Sequence, residues 1–579
     1  MAGPTENDRM IRVDMTTQTA TIEPFPKNWD LLGGRALSAR ILTEECDPTC
    51  DPLGPDNILV LAPGVISGTA APTSGRLSVG GKSPLTGGIK ESNVGGNPGQ
   101  DLMKLGFRVI IVKGQPSDPD KRYAVDVTEE GVTVIPADEH KGKWNYKLIE
   151  DLVQTYSKKA SFISIGPAGE MRLSGSSVAC TDADKARHPA RHAGRGGLGA
   201  VMGSKGLKYV SVDAGRKTVR KAVQAKEFMG MSKKYTKEFI AGPGQEPFPK
   251  WGTSVIVEEA NSIYTFPYKN RTEGRSPDVH SLDGMRIVES FEERGGEMHN
   301  CMTGCIVKCS NIVMDAEGNY KTSALEFETL TLMGSNCGIA SWEDVADLDR
   351  LCDEIGLDTI ETGAAIAIYM DSGDMQFGDA AGAKRLMQEI ADGTDLGKAI
   401  GNGAVAIGKR QKHDRVGHVK GQALPAWDPR PLKAAGVTYC TSPMGADHTA
   451  GLVVDPGQAL EDIAQASQEA QILNTAIDAS GFCQFLGTSI EELGEFYTLF
   501  FGETVSREKI ADIAWQCMLE EWAFNKKAGL DESDDEMCDS MKTDPIGPTK
   551  MVWDVPMEIV RQAYERFDPR EELFTTKPS

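Results

Sequence analysis

Residues 61–96 read LAPGVISGTAAPTSGRLSVGGKSPLTGGIKESNVGG. Apolar runs flank this stretch, Asn57-Ile58-Leu59-Val60-Leu61 before it and Phe107-Arg108-Val109-Ile110-Ile111-Val112 after it, and both are bounded by Gly and Pro. Such runs predict β-strands joined by tight turns. Within the stretch, Thr73-Ser-Gly75-Arg76, Ser83-Pro-Leu-Thr-Gly-Gly88 and Ser92-Asn93-Val-Gly95-Gly96 combine glycine with polar or basic side chains. Gly33-Gly34-Arg35 upstream and Arg191-His-Ala193-Gly194-Arg195 through Lys205 downstream repeat the pattern. Glycine lets backbone N–H groups approach an anion without a Cβ in the way, and arginine offers a planar fork of donors suited to phosphate oxygens. Several such loops in one region imply a large, multiply charged ligand.

The texture changes near residue 213. Val223 to Lys237, Trp342 to Asp353, Thr362 to Asp371 and Ala459 to Ala476 show the longer spacing of amphipathic helices. A proline-rich break at Leu424-Pro-Ala-Trp-Asp-Pro-Arg-Pro431 divides this part. The expectation is an α+β chain, with a β-rich domain over residues 1–212 followed by two mainly helical domains, 213–424 and 425–579.

The chain has 579 residues, with 62 Lys and Arg against 84 Asp and Glu, a net charge of −22. That excess argues against binding nucleic acid or an anionic membrane, since both need a basic surface. With 40% hydrophobic and 25% charged residues the composition is that of a folded protein rather than a disordered one. No stretch approaches the roughly 18 apolar residues of a membrane span, and the start MAGPTENDRMIRVDM has no basic segment followed by an apolar one. A cytoplasmic location is expected, where the twelve cysteines are thiols or metal ligands rather than disulfides.

Three cysteines recur at intervals of four in Cys301-Met-Thr-Gly-Cys305-Ile-Val-Lys-Cys309, close enough for one loop to ligate an iron-sulfur cluster. A 4Fe-4S cluster needs a fourth ligand from elsewhere. Zinc also suits four thiolates, but its paired CxxC knuckles are absent, and three buried thiols on a helix face would be the plain structural alternative. Cys46 and Cys50 form a second pair without nearby partners, and Cys180, Cys337, Cys352, Cys440, Cys517 and Cys538 are single; these eight read as ordinary thiols. Gly194 to Gly199, GRGGLG, satisfies the letters of GxGxxG, but the basic, proline-containing Asp184-Lys-Ala-Arg-His-Pro-Ala-Arg-His192 stands where a dinucleotide site needs an apolar strand.

Taken together, Gly33-Gly34-Arg35, residues 61–96, AGRGGLGAVMGSKGLK, LEFETLTLMGSNCGI, Asp353-Glu-Ile-Gly-Leu-Asp358 and Asp478-Ala-Ser-Gly-Phe-Cys483 make the chain resemble the aldehyde ferredoxin oxidoreductase family, tungsten enzymes with a bis-pterin cofactor. The resemblance runs over nearly the whole chain. It implies that Asp353 and Asp358 serve one pterin and Asp478 the other, their carboxylates accepting hydrogen bonds from ring N–H groups. It makes Cys483 the fourth ligand of a 4Fe-4S cluster with Cys301, Cys305 and Cys309. Arg76, Asn93, Gly95 and Ala193, with Arg195 beside them, map onto the pterin-phosphate contacts, and Asn93 and the Ala193 carbonyl resemble the ligands of a Mg²⁺ joining the two phosphates. The metal, tungsten or molybdenum, takes its sulfur from the pterins, so no protein anchor for it is expected.

The implied reaction oxidises a small aldehyde to an acid, with His448 donating to the substrate oxygen and either Glu326 or Glu328 handling the proton. Those two glutamates share a face if their segment is extended and diverge if it is helical. Electrons would leave through the cluster to ferredoxin or a dedicated iron-sulfur subunit. Ferredoxins are commonly acidic, so a chain of net charge −22 is expected to carry either a local basic patch or to use a different carrier. A homodimer is compatible with the family. The chain departs from it in three places: the triplet is spaced one residue wider than CxxCxxxC, Phe482 replaces a leucine, and the ExxH motif of an interfacial iron is absent. The alternatives are another low-potential reaction of the same family, such as reduction of an aromatic acyl-CoA, and an iron-sulfur electron-transfer subunit without its own chemistry.

Overall fold

The computed structural model describes residues 4–242 and 246–575, so the first three residues of the polar N-terminus lie outside it. The first sheet is built from β1 (Arg9–Asp14), β2 (Thr19–Pro24), β3 (Leu59–Pro63), β4 (Leu77–Lys82), β5 (Ile89–Val94) and β6 (Phe107–Lys113), in the order β2-β1-β6-β3-β4-β5. A second sheet uses β7 (Tyr123–Val127), β8 (Val132–Pro136), β9 (Ser161–Ser164), β10 (Val178–Cys180), β11 (Arg191–Ala193) and β12 (Leu207–Val212), in the order β11-β10-β9-β12-β7-β8. Both expected strands, around Leu59 and Phe107, are in place.

Side chains alternate across a strand, which sorts these runs into layers. Ile11, Val13, Leu59, Leu61, Ile110 and Val112 pack against Val125, Ile163 and Val210 of the second sheet. Val60, Ala62, Val109 and Ile111 point the other way, onto Leu37 and Ile41 of the helix Gly34–Glu45. The far face of the second sheet is covered by Leu148, Ile149 and Leu152 of the helix Asn145–Thr155. Burying each such side chain is worth about 1.5–3 kcal/mol. The result is a helix, sheet, sheet, helix stack, with the edge strands β5 and β11 lying against each other.

Beyond residue 212 the chain is mainly helical, as expected. The helices Ala225–Ala241, Trp342–Ile355, Thr359–Asp371 and Ile463–Ser480 correspond to the four periodic segments, the last starting four residues late because Ala459–Asp462 form a turn. Ser341 and Asp358 cap the second and third by accepting from the Asp344 and Ile360 amides. Periodicity gives no hint of a small sheet, β13 (Glu297–His299), β14 (Ser310–Met314) and β15 (Tyr320–Ser323), whose strands are too short to carry a pattern. The proline-rich segment 424–431 is buried, and one hydrophobic cluster joins Leu424, Ala426 and Trp427 to Leu332, Val345, Val437 and Trp553. No helix among the described residues is long and apolar enough to cross a membrane.

The two halves are locked where the first sheet meets the end of the helix Ile463–Ser480. The amides of Val65, Ile66 and Arg76 donate to the carbonyls of Ala479, Ser480 and Gly481. A Cβ on Gly34 would lie 2.0 Å from the Asp478 carbonyl oxygen, and one on Gly64 2.0 Å from the Gly481 amide, so only glycine allows this contact. Nearby, Arg35 and Glu521 form a buried bidentate pair at 2.9 and 2.7 Å. Removing either partner would strand a charge at a cost of about 3–5 kcal/mol.

Candidate functional site

The cysteine triplet occupies the loop of the β13–β14 hairpin, which His299 and Ser310 close as a register pair. No helix carries it. The first sheet's loops hold it from below: Gly96 N donates to the Cys301 carbonyl at 3.1 Å, Thr73 N to that of Gly304 at 3.0 Å, and Thr303 N to Asn97 Oδ1 at 3.1 Å. Thr73 also accepts from Cys483 N at 3.0 Å, so one residue ties both cysteine loops together. All four thiols are buried. Arg76 Nη1 lies 3.8 Å from Cys483 Sγ, and a Cβ on Gly95 would come within 3.3 Å of Cys301 Sγ. Arg76 also donates through Nε to Asn93 Oδ1.

Burial pushes the Cys309 and Cys483 thiols up, against the opposing charge of Arg191 and Arg76 respectively. A hydrogen bond between Cys301 and Cys305 raises the first and lowers the second. The three raised thiols, Cys301, Cys309 and Cys483, hold their protons more tightly than a free thiol, and metal binding would displace them. Among the described residues no three of these sulfurs lie within 4.8 Å of one another. A single zinc ion with Zn–S bonds of about 2.3 Å would draw them to about 3.8 Å.

Glu326 belongs to this side. It starts the short helix Phe327–Thr329, and its Oε1 lies 3.7 Å from Arg191 Nη1. Arg191 also donates to Asp182 Oδ2 at 2.8 Å and Ser310 Oγ at 2.7 Å. Burial raises the Glu326 carboxyl in spite of Arg191 and Arg76. Asp478 faces the same region, its carboxyl pushed well up by burial and by Glu91, with Arg35 and Arg76 opposing.

Glu328, two residues on, turns to the other side. Its Oε2 accepts from Ala426 N at 2.8 Å, and its Oε1 lies 3.6 Å from His448 Nδ1. The segment is helical here and continues as a π-turn, Leu330–Gly334, so the two glutamates diverge. His448 follows Asp447, which accepts from Lys90 Nζ at 2.5 Å. Burial would raise the Asp447 carboxyl, but Lys90, Arg195 and His448 outweigh it and hold it far below the usual range. Arg195 donates to the carbonyls of Ala446 and Ala423, both at 2.5 Å, and its Nε stands 3.5 Å from Asp358 Oδ2. Glu361, one turn after Asp358, accepts from Ala404 N and Ala423 N, both at 2.9 Å, and burial pushes it up to about 7 against Arg195.

The fold therefore gathers Arg76, Asn93, Gly95, Glu326, Asp478 and the four cysteines on one side, and Arg195, Asp358, Glu328 and His448 on the other. Ala193 sits in β11, and the Cβ position of the next residue, Gly194, is 3.6 Å from Asp358 Oδ1. Asp353 is already engaged, by His192 Nε2 at 3.1 Å and the Tyr146 hydroxyl at 3.2 Å. Sequence reasoning missed Lys90, Asp447, Arg191, His192 and Glu361. Lys90 lies inside the opening glycine-rich stretch, yet nothing in its neighbours signals that a lysine there is fully buried.

Four buried polar atoms on the second side have no hydrogen-bond partner: Arg195 Nε, Asp358 Oδ2, Glu328 Oε1 and His448 Nδ1. They face one another in two pairs, Arg195 with Asp358 at 3.5 Å and His448 with Glu328 at 3.6 Å, too far for hydrogen bonds. Their concentration on one side of the site fits a bound polar group that would complete their hydrogen bonds. The donor set of the first side, four buried thiols on two loops, fits a polynuclear metal-sulfur centre.

A two-sheet base beneath helical domains, with thiols and unpaired polar atoms meeting at their junction, is the build of a cofactor-dependent oxidoreductase. The family description "aldehyde ferredoxin oxidoreductase, N-terminal domain" matches residues 10–214, and "aldehyde ferredoxin oxidoreductase, domains 2 & 3" matches residues 230–568. The chain belongs to the aldehyde ferredoxin oxidoreductase family. It is 31% identical over 585 residues to the tungsten-containing aldehyde ferredoxin oxidoreductase of Pyrococcus furiosus, covering 94% of this chain and 93% of that one. The Thermococcus kodakarensis protein of the same description is 30% identical with the same coverage. The WOR-like subunit of the aliphatic sulfonate oxidoreductase of Pyrococcus furiosus is 25% identical over 87% of this chain and 83% of its own. In structure, the active-site complex BamBC of benzoyl coenzyme A reductase with 1,5-dienoyl-CoA superposes with a TM-score of 0.79 at 18% identity, covering 97% of this chain and 93% of that one, which establishes a shared fold.

Proposed function

We propose that the protein oxidises small aldehydes to carboxylic acids on a tungsten bis-pterin and passes the electrons through one 4Fe-4S cluster to an external one-electron carrier. The observation that carries this reading is the Glu328–His448 pair, a carboxylate and an imidazole 3.6 Å apart whose facing atoms are buried and make no hydrogen bond. When bound, the tungsten bis-pterin supplies the two-electron sink and the cluster the one-electron exit.

Every other part falls to the chain's own residues. Arg76, Asn93, Gly95, Ala193 and Arg195 would cradle the pterin phosphates, with Asn93 and the Ala193 carbonyl toward a Mg²⁺. Asp353 and Asp358 would accept from one pterin ring and Asp478 from the other, and ring N–H donors would pull the raised Asp478 carboxyl back toward its ionised form. Cys301, Cys305, Cys309 and Cys483 would hold the cluster. His448 would donate to the substrate oxygen and Glu328 would take the proton of the attacking water. Lys90 and Asp447 hold the segment bearing His448, because a buried ion pair with good geometry resists displacement.

Anaerobic purification with elemental analysis tests the reading. Tungsten or molybdenum together with about four irons per chain, and benzyl viologen reduction driven by aldehydes, are the expected results. Iron alone would leave an electron-transfer subunit, and turnover of aromatic acyl-CoA without aldehyde oxidation would move the chain to the other branch of its family.

A further inference from the structure

We propose that a basic cavity beside the Cys301–Cys305 loop is the docking surface for an acidic one-electron carrier protein. The proposal rests on the reading that the four thiols hold a cluster. The cavity measures about 690 Å³ and is lined by Lys104, Lys158, Lys159, Lys185, Arg187 and Lys217 against two carboxylates, Asp101 and Asp184. Asp101 pairs with Lys104 at 2.9 Å and accepts from Ser161 Oγ at 2.8 Å, and Asp184 hydrogen-bonds His188, so six cations against two carboxylates leave the lining net positive. Lys159 and Arg187 donate to backbone carbonyls, which anchor the side chains; Asp184 and Asp213 lie near Arg187, whereas Lys159 has no carboxylate in ion-pair range among the described residues. Lys158 and Lys185 have no carboxylate in ion-pair range among the described residues, and Lys217 reaches Glu129 only at 3.9 Å.

On a chain of net charge −22 this lining runs against the overall sign, and its position is specific. Thr303, exposed between the ligand candidates Cys301 and Cys305, lines the cavity together with Asn97, the residue that fixes its amide. One wall of the cavity is therefore the cysteine loop itself. Lys308, exposed one residue before Cys309, adds a further cation to the same loop. A field that repels acidic proteins elsewhere would attract one here and orient its redox centre toward the cluster. Electron-transfer contacts are small and electrostatically steered, so a concave basic patch suffices. Each docking moves one electron from the reduced cluster to the oxidised carrier, so two dockings clear the two electrons released when an aldehyde and water give an acid and two protons.

The test uses the holoenzyme with Lys158→Glu, Lys185→Glu and Lys217→Glu combined, and a purified acidic low-potential ferredoxin as probe. The dissociation constant measured by calorimetry should rise about tenfold or more, and its weakening with salt should flatten. Benzyl viologen turnover and iron content should stay at the parent level. The Gln triple variant, which removes charge without reversing it, should show a smaller shift in the same direction and guards against misfolding of the first. A dissociation constant within twofold of the parent in both variants overturns the proposal. So does saturable pyrophosphate binding that is lost in the variants while ferredoxin binding persists, which would make this a small-anion pocket. Binding is read without turnover, so an enzyme that ignored aldehydes yet bound ferredoxin through this cavity would defeat the reaction assigned above and leave the docking surface standing.

Discussion

The loops 353–358 and 478–483 both end a long helix at a glycine, Gly356 at φ +80° and Gly481 at φ +90°, and both place an aspartate a few residues before it. Locally they are the same device, a left-handed helix stop. Their surroundings differ. The first loop delivers Asp358 to Arg195, beside Glu361, Glu328 and His448, in a region of carboxylates, one guanidinium and unpaired polar atoms. The second delivers Cys483 to Arg76, beside Cys301 and Glu326, in a region of thiols and two guanidiniums. A short helical turn at 326–329 divides its two glutamates between them. The difference teaches that the stop motif sets where a side chain is presented, and the partner elements set what it can do there.

Replacing the last residue of each loop should separate the regions most sharply. Cys483→Ala is expected to abolish or convert the 4Fe-4S signal in reduced-protein electron paramagnetic resonance. Asp358→Ala should leave that signal intact while weakening the cap of the helix Thr359–Asp371, by about 0.5–2 kcal/mol in thermal unfolding. An unchanged spectrum for Cys483→Ala would erase the distinction between the two sides.

The divergence of the glutamates gives the next largest effect. His448→Ala and Glu328→Gln should each lower aldehyde turnover by roughly 10² to 10⁴ with metal content unchanged, since general acid-base groups contribute about that much. Glu326→Gln, on the thiol side, should keep turnover near the parent value. If Glu326→Gln fell as far as Glu328→Gln, the division between the regions would not hold in the working enzyme.

The smallest effect is a pH dependence confined to the region of Asp358 and Arg195. Burial raises the Glu361 carboxyl from its ordinary value of 4.5 to about 7, so its contribution to stability is fully present below 4.5 and is lost as pH rises through about 7. For the cofactor-free protein that amounts to about 3 kcal/mol between about pH 5 and about pH 8. Glu361→Gln should flatten that part of the melting-temperature profile, and a profile parallel to the parent's would show that Glu361 does not titrate in this range.

Much of the architecture was legible because it rests on short-range physics. The runs around Leu59 and Phe107 are short, apolar and bounded by Gly and Pro as buried strands are, and the spacing of the cysteines brought them within reach of one cluster while leaving loop or helix open. The short strands β13 to β15 were not legible, since three to five residues carry no period. Nor were Lys90 and Asp447, 357 residues apart, whose pairing exists only after the first sheet and the helical half have met.

The sequence by itself determined most of the longer strands and helices, because these follow from local sterics and periodicity, and its resemblance to a family implied which residues form the candidate site. Only the tertiary structure decided that Glu328 and not Glu326 faces His448, that Asp353 is held by His192 and Tyr146, and that lysines from four separate segments form one basic cavity on an acidic chain. Contacts, burial and electric fields depend on distance in space, and elements far apart in the chain set those distances.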